Sequence, residues 1–420
     1  RGLGDVYKRQ NESCTFQYYS NFMRNHPVMD KNIRDDTQIS RLLKYNIKEQ
    51  DINLFLRAWN QMNNTKECIY VGYDSTNFNT NAYGIELADY GHPKVDEGLP
   101  QYNLAYAVNQ KDSTPLFYEL YDGSVIDNTE LEIMLEEAKE FGHEKLGVLM
   151  DRGYISEKNI KALRTKGYEY ILMMKQNQRI CQEIIEEYGA AVQSLEGYYI
   201  GEHGVYGTTV KKQLYGQETN IHVYYDDIRA SEEKVALMSR YETWEKEIEK
   251  KVAKRIATEG EMKKYRKVFK LKYDQNGYLV AYQRNSRYIK EEIRSLGFFF
   301  IITSEEMSTS KALDIYRGRD NIEKMFRSLK SGIDFNKARV HTTESLKSKV
   351  FVTFIAMIVR NELFQKAEEL RKKNRKAYTV PGMISELENI ECTRNSVGKY
   401  RRKYAPVSYT HLRAHETLAN

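Results

Sequence analysis

The chain has few cysteines and no long apolar segment, and each absence excludes a class of protein. The four cysteines of the 420-residue sequence are isolated from one another, without a CxxC pair or a zinc-binding spacing: Cys14, Cys68, Cys181 and Cys392. They are typical of free thiols in a reducing compartment. No apolar run approaches the roughly 20 residues that a membrane helix needs, and no secretory signal is visible. We therefore expect a cytoplasmic protein without a membrane partner.

The length and charge of the chain indicate how many domains it has and what kind of partner it could bind. A chain of 420 residues is too long for one compact core, so two or three domains are expected. Hydrophobic residues make up 41% of the sequence, as in a folded, soluble protein. The net charge of +6 is mildly basic, which is compatible with a nucleic-acid partner without requiring one.

Both ends of the sequence look foreign to the rest of the chain. Residues 1–10 (RGLGDVYKRQ) and 407–420 (VSYTHLRAHETLAN) resemble translated sequencing-adapter read-through. We expect the native protein to be truncated at one or both ends, and we leave these segments out of the fold prediction.

The remaining sequence predicts an α/β protein. Residues 11–64 form an N-terminal helical region, in which Asp36 or Thr37 caps the first helix. This region is either a remnant of a DNA-binding domain or a helical buttress. In residues 65–175, three hairpin strands precede alternating helices and parallel strands, which is the order of the RNase H fold. The first of these strands is predicted to end at Asp74.

The second half of the chain interrupts this core and then completes it. Short strands around one charged helix predict a β-rich insertion subdomain over residues 176–297. The core resumes over residues 298–370, and a basic tail follows at 371–406, where solvated ends are the commoner explanation of the charge. The predicted fold is therefore an RNase H-like mixed sheet flanked by helices, with this insertion and the N-terminal helical region.

A single helix is predicted over residues 311–330, because good helix formers dominate and Gly318 is the only breaker. At about 100° per residue, its polar residues of interest fall on one stripe: Tyr316, Arg319, Glu323 and Lys330. This stripe places a carboxylate between two cations and a phenol. The helix alone is equally consistent with an ordinary salt-bridged amphipathic helix.

Two further carboxylates follow apolar strands, Asp74 after IYVGY and Asp151 after LGVLM. Such placement is costly unless the carboxylate is solvated, paired or metal-bound. With Glu323 as a third ligand, these residues can hold two Mg²⁺ ions roughly 3.5–4 Å apart, with Mn²⁺ as a substitute. The alternatives are a turn or cap role for Asp74 and a helix-capping role for Asp151.

These motifs resemble those of a known enzyme family. YRGRDNIEKMFRSLK matches the Y-(2)-R-(3)-E-(6)-K pattern of bacterial insertion-sequence transposases with a DDE triad, and YDSTNF and LMDRGYIS resemble the blocks around the two aspartates. The resemblance spans roughly residues 68–363. It implies that Asp74, Asp151 and Glu323 are the metal-binding triad of a transposase that cleaves transposon ends and joins them to target DNA.

The same resemblance implies DNA contacts for the other motif residues: Tyr316, Arg319 and Lys330. It also implies a homodimer on double-stranded DNA, at terminal inverted repeats and target sites in the bacterial nucleoid. Two alternatives remain open, a catalytically silent DNA-binding descendant and an RNase H-like nuclease without strand transfer. Trp244 either receives a flipped base or, as we prefer, anchors its helix within the insertion.

A second basic cluster follows the Glu323 helix. We expect its residues to track the DNA backbone: Lys337, Arg339, His341, Lys347 and Lys349. The sequence shows no Ser/His/Asp or Cys/His arrangement for nucleophilic catalysis, so the predicted chemistry depends on metal ions.

Overall fold

The computed structural model describes most of the chain, over residues 16, 19–26, 28, 32–64, 68–91, 98–125, 127–143, 145–150, 155–254, 260–374, 379–388, 390–395 and 400–402, without the side chains of 127–132, 374, 388, 394 and 402. The chain divides into two compact units, residues 1–149 with 318–420 (unit 1) and residues 150–317 (unit 2). No helix in the described ranges has the length and apolar character to cross a bilayer.

The described residues form the following helices and strands. The helices are α1 (Tyr19–Asn25), α2 (Asp36–Arg41), α3 (Glu49–Asn63), α4 (Asp127–Glu140), α5 (Glu157–Thr165), α6 (Arg179–Ser194), α7 (Asp227–Lys254), α8 (Ser286–Arg294), α9 (Thr309–Arg317), α10 (Asp320–Arg327), α11 (Thr343–Asn374) and α12 (Val380–Glu388). The strands are β1 (Ile69–Asn79), β2 (Gln101–Asn109), β3 (Pro115–Asp122), β4 (Leu146–Met150), β5 (Glu169–Met173), β6 (Tyr199–Ile200), β7 (Val205–Leu214), β8 (Gln217–Tyr225), β9 (Phe269–Tyr273), β10 (Leu279–Arg284), β11 (Phe298–Thr303), β12 (Cys392–Arg394) and β13 (Tyr400–Arg402).

Four strands of unit 1 follow the order β3-β2-β1-β4. β1, β2 and β3 form an antiparallel meander, whereas β1 and β4 pair in parallel from Ile69 opposite Leu146 to Gly72 opposite Leu149. All five residues of β4 are buried, as a strand covered on both faces requires. This mixed arrangement confirms the predicted α/β fold with its opening hairpins.

The predicted end of β1 at Asp74 is wrong. The strand continues to Asn79, and each residue from Asp74 onward has a partner in β2, beginning with Tyr106 opposite Asp74. The polar side chains after Asp74 suggested a break, but the neighbouring strand supplies the backbone hydrogen bonds, so the strand persists. Asp74 is therefore neither a turn residue nor a helix cap.

The N-terminal helices support unit 1. Trp59 in α3 donates its indole N–H to the carbonyl of Pro115 at 2.7 Å, and Asn60 donates to the carbonyl of Leu116 at 2.8 Å. The side-chain oxygen of Asn60 also lies 2.7 Å from Nε2 of His143. These contacts with β3 favour the buttress over a separate DNA-binding module. The cap of α2 is Asp35, in a capping box with Gln38, and not either predicted residue, Asp36 or Thr37.

Unit 2 is built on five strands in the order β5-β11-β8-β7-β6. The described pairs among them are antiparallel, and β11 lies between β5 and β8 with all six of its residues buried. The strands lie close to their predicted positions. Two helices of this region, α6 and α8, were not predicted, so the insertion is richer in helix than expected.

A small second core in unit 2 packs α7 and α8 against the β9–β10 hairpin. Trp244 of α7 belongs to it, with its ring 5.7 Å from that of Tyr265 in an edge-to-face arrangement and the Arg240 guanidinium carbon 5.4 Å from its ring centroid. These contacts favour the anchoring role of Trp244 over base binding.

A buried histidine joins β8 to its neighbours in unit 2. His222 has no exposed surface; its Nδ1 accepts from the Thr209 hydroxyl at 2.7 Å, and its Nε2 lies 3.1 Å from Oγ1 of Thr303. The Thr303 hydroxyl donates to the carbonyl of Glu305, so it accepts from Nε2 of a neutral ring. Burial lowers the pKa of His222 to about 4.

We expect unit 2 to lose stability as the pH falls from about 6.5 to about 4. In that window the unfolded chain protonates His222, whose usual pKa is 6.5, while the folded chain does not, so the unfolded state gains protons. The shift corresponds to about 3 kcal/mol across the window. Urea denaturation at pH 7, 6, 5 and 4 measures it. His222→Gln should flatten the curve, exposed His341→Gln should not, and equal pH slopes in wild type and His222→Gln would contradict the assignment.

Candidate active site

The predicted single helix over residues 311–330 is wrong in one respect. It is two helices, α9 and α10, separated at Gly318 and Arg319, where the boundary between the units also falls. The amides of Asn321 and Ile322 bond to the carbonyls of Gly318 and Arg319, three residues back, at 3.0 Å each. Glycine is a poor helix former, which accounts for a break at this position.

α10 packs on β1 and β2 within unit 1. Gly72 of β1 lies beneath it: a Cβ built there would be in ordinary contact with Cβ of Ile322 at 3.8 Å, whereas the space closest to Gly72 is filled by the Gln110 side chain. Asn321 donates to the carbonyl of Gln110, just after β2, at 3.1 Å. Phe326 meets Tyr106 of β2 edge-to-face at 5.9 Å. The buried face of α10 thus fixes the helix that carries Glu323 against the strand that carries Asp74.

A π-helical turn, Ser328–Gly332, continues α10 and carries Lys330. The Lys330 ammonium donates to the hydroxyl of Thr76 at 2.6 Å and lies 5.3 Å from the ring centroid of Phe78. Side chains alternate along a strand, so Asp74 lies on the same face of β1 as Gly72 and Thr76. Because both of these residues meet the segment from Ile322 to Lys330, Asp74 faces that segment.

Glu323 forms an ion pair within its own helical turn. Nη2 of Arg319 lies 2.6 Å from Oε1 of Glu323, and the Glu323 side chain is 50% exposed. The pair agrees with the predicted stripe. A carboxylate that is half exposed remains open to an incoming cation, and the guanidinium beside it can bind an incoming phosphate.

The remaining predicted site residues are placed as follows. Asp151 lies outside the described residues. Tyr316 belongs to α9 in unit 2 and is 7% exposed. Lys337 and Arg339 are exposed. Lys349 is fully buried, which contradicts its predicted place on a DNA-tracking surface.

One other group of possible metal ligands occurs among the described residues, in unit 2. Ligand atoms of Glu202, His203 and Asp314 lie within 4.8 Å of one another. However, Nη1 of Arg317 donates to Nδ1 of His203 at 2.9 Å, so a neutral ring carries its proton on Nε2, beside Asp314. A protonated nitrogen is not a ligand, and we interpret the group as a polar link between the β6–β7 turn and α9.

Comparison with known proteins places this chain in a family. The family model described as transposase DDE domain matches residues 71–359, a span that contains β1, β4 and α10. The chain belongs to this family. The transposase is accordingly an enzyme of metal-dependent DNA cleavage and strand transfer, as its motifs predict.

Two further comparisons were made. The search of curated proteins finds no match. Among solved structures, the transposase resembles the piggyBac transposase in a synaptic complex with hairpin DNA, with 11% identity and a TM-score of 0.41, covering 100% of this chain and 73% of that chain.

The residues of β1 that contact the site were not predicted as such. A predicted strand that continued past Asp74 would have included them. Gly72, Thr76 and Phe78 have the even spacing from Asp74 that one strand face requires. Predicting the break at Asp74 removed Thr76 and Phe78 from the strand, and with them the contact to Lys330.

A double-mutant cycle tests the contact between Lys330 and Thr76. Thr76→Val and Lys330→Met should each destabilise the transposase, and their effects should be coupled by about 1.5 kcal/mol because the bond has a charged donor. Urea denaturation of the single and double variants gives this coupling energy. Thr114→Val, at the β2–β3 turn, combined with Lys330→Met is the additive control. Simple additivity in both pairs would exclude a Lys330–Thr76 bond.

Proposed function

We propose that Asp74, Asp151 and Glu323 hold two Mg²⁺ ions, with Mn²⁺ as a substitute, and that they form the catalytic triad of this transposase. The observation that carries the proposal is that Asp74 faces the helical segment bearing Glu323, through Gly72 beneath Ile322 and Thr76 beneath Lys330. Carboxylate oxygens are the donors that Mg²⁺ prefers, so the donor set fits the ion.

The position of Asp151 in the sequence supports its place in the triad. The parallel pairing of β1 with β4 runs to Gly72 and Leu149, and Asp74 and Asp151 each follow that pair by two positions. Open α/β sheets bind their ligands outside the carboxyl ends of parallel strands. Asp151 follows the end of β4 in the sequence, and Asp74 lies in β1 two positions past the last residue that pairs with β4.

In this proposal the metal ions and the protein side chains have separate roles in the reaction. Bound Mg²⁺ activates water or a 3′-hydroxyl and stabilises the leaving oxygen of the phosphodiester. The three carboxylates position the ions, and no protein nucleophile is required. Arg319 gains a second anionic partner when a phosphate arrives beside Glu323, because its planar guanidinium can bind two oxygens of a phosphate.

Lys330 serves as a fixed positive charge beside this site. Its bond to Thr76 and its position over Phe78 hold the ammonium near β1 before DNA arrives. A charge that is already positioned loses less conformational entropy when it meets a phosphate. The DNA contact of Tyr316 remains a prediction, and its burial shows that the ring would have to become accessible first.

We further propose that the transposase acts as a homodimer on double-stranded DNA, in the bacterial nucleoid, at terminal inverted repeats and target sites. The family supports the DNA substrate. This assembly is tested by measuring the size of the transposase in solution. The measurement is made without DNA and then with DNA that carries the inverted repeats flanking the gene.

We expect Asp74→Asn, Asp151→Asn and Glu323→Gln each to reduce Mg²⁺-dependent cleavage of such DNA by at least about 10²-fold. Each substitution removes a metal-binding charge while keeping the shape of the side chain. The measurement is strand cleavage on a labelled duplex over a Mg²⁺ titration.

Asp320→Asn is the matched control for this set. Asp320 is an exposed carboxylate in the first turn of α10, three residues before Glu323, and should retain the wild-type rate. Retained duplex binding in a gel-shift assay shows that the triad variants are folded. Wild-type cleavage by Glu323→Gln would exclude the assigned chemistry, and absence of cleavage by the wild type itself would favour the catalytically silent alternative.

The exposed pair Lys337 and Arg339 generates a separate prediction about binding. If both contact phosphates, Lys337→Gln with Arg339→Gln should reduce the slope of log affinity against log salt by about 1.8, because each contact contributes about 0.9. Fluorescence anisotropy with a duplex from 50 to 300 mM salt measures it. The control pair is Lys158→Gln with Lys161→Gln on α5, and a slope shared by wild type and the Lys337/Arg339 variant would refute the contact.

A further inference from the structure

Unit 1 contains a cavity of about 410 Å³ that the proposed chemistry does not use. Its walls are one face of α10 with Ser328, one stripe of α11, the start of α12 and the turn between β2 and β3. Binding sites for small organic molecules have volumes of about 300 to 1,000 Å³, so the cavity is large enough for one.

The cavity lies on the far side of α10 from Glu323. Asn321, Lys324, Met325 and Ser328 line it, and their spacing puts them on one face of the helix. At 100° per residue, Glu323 is about 150° around the axis from the centre of that face. The cavity is therefore distinct from the carboxylate site.

The charge in the cavity is mostly positive. Arg360, Lys324 and Arg371 line it together with one acid, Glu368, which pairs with Arg371 at 2.5 Å. Nε of Arg360 donates to Oγ of Ser328 at 2.5 Å, and its guanidinium lies against Gly332, where a Cβ would come within 2.7 Å. Burial lowers the pKa of the Arg360 guanidinium, so this cation has lost part of its hydration.

The lining also has an apolar part, whose residues on α11 flank Arg360. Met325 and Met357 are buried, and Phe364 remains 44% exposed although it is a large aromatic residue on the same stripe of α11. Thioether and phenyl groups stack well against flat aromatic rings. A ligand that matches both parts carries an anionic group and a flat apolar body.

We propose that this cavity binds a nucleotide, with its phosphate at Arg360 and Lys324 and its base against Met357 and Phe364. The DNA on which the transposase acts contains this chemistry, and so does a free deoxynucleotide. The proposal does not depend on the metal site, because binding here requires neither Mg²⁺ nor Glu323.

Calorimetry with the full chain in EDTA tests the proposal, using dAMP, deoxyadenosine and inorganic phosphate as probes. We expect dAMP to bind at least tenfold more tightly than either deoxyadenosine or phosphate, since only dAMP meets both parts of the lining. Undetectable dAMP binding, or phosphate binding as tight as that of dAMP, would overturn it.

Three variants locate the binding. Lys324→Gln with Phe364→Ala changes two side chains with low folding cost, because Lys324 is exposed and Phe364 is largely so, and should weaken dAMP binding at least tenfold. Gly332→Ala displaces the Arg360 guanidinium, the mobile end of a long side chain, and should weaken binding several-fold. Lys366→Gln, on α11 outside the cavity, should change nothing. Equal affinity in all three variants would place dAMP elsewhere.

A single-stranded oligonucleotide distinguishes the two sources of the nucleotide. If the Lys324/Phe364 variant weakens its binding as it weakens that of dAMP, the occupant is a nucleotide of the DNA strand. If only dAMP binding responds, the occupant is a free nucleotide. Both results retain the cavity as a nucleotide site, and loss of dAMP binding in Glu323→Gln would contradict its independence from the catalytic site.

Discussion

The packing of α10 on one face of β1 is the contact on which the candidate site depends. Gly72 lies beneath Ile322, and the hydroxyl of Thr76 accepts a hydrogen bond from the ammonium of Lys330. Asp74 lies between these two points of contact on the same strand face. A metal site needs its oxygen ligands held within a fraction of an ångström, and a strand and a helix locked at two points can provide such rigidity.

The same packing brings positively and negatively charged side chains close together at the site. Glu323 is balanced by Arg319 one turn earlier, and Lys330 contacts a hydroxyl and an aromatic ring of β1. Half exposure of Glu323 keeps water as a competing partner, so the ion pair with Arg319 is weak enough to exchange. The site is thus arranged for ligand exchange rather than for a permanent buried salt bridge.

Much of the fold could be predicted because apolar runs with clear ends have only one plausible structure. The three hairpin strands expected at the start of the core are β1, β2 and β3, and the parallel strand expected after them is β4. Prediction failed where tertiary contacts outweigh local preference. Polar residues after Asp74 persist as a strand because β2 pairs with them.

The candidate site was predictable as a set of residue types, whereas its supporting contacts were not. The motif spacing predicted Glu323 and Lys330 as site residues, and both lie within the span of the family match. Burial of Lys349 could not be seen in a basic run, since a long side chain can pass through apolar surroundings. The break at Gly318 coincides with the boundary between two compact units, which composition alone does not delimit.

The hydrogen bonds from α3 to β3 have a consequence for handling this protein. Within the described residues, β3 has β2 on one side and no strand on the other, so its outer carbonyls at Pro115 and Leu116 are satisfied by Trp59 and Asn60. An uncovered edge strand invites pairing with another molecule. A recombinant fragment that begins after α3 would expose that edge and tend to aggregate, even though every motif residue would be retained.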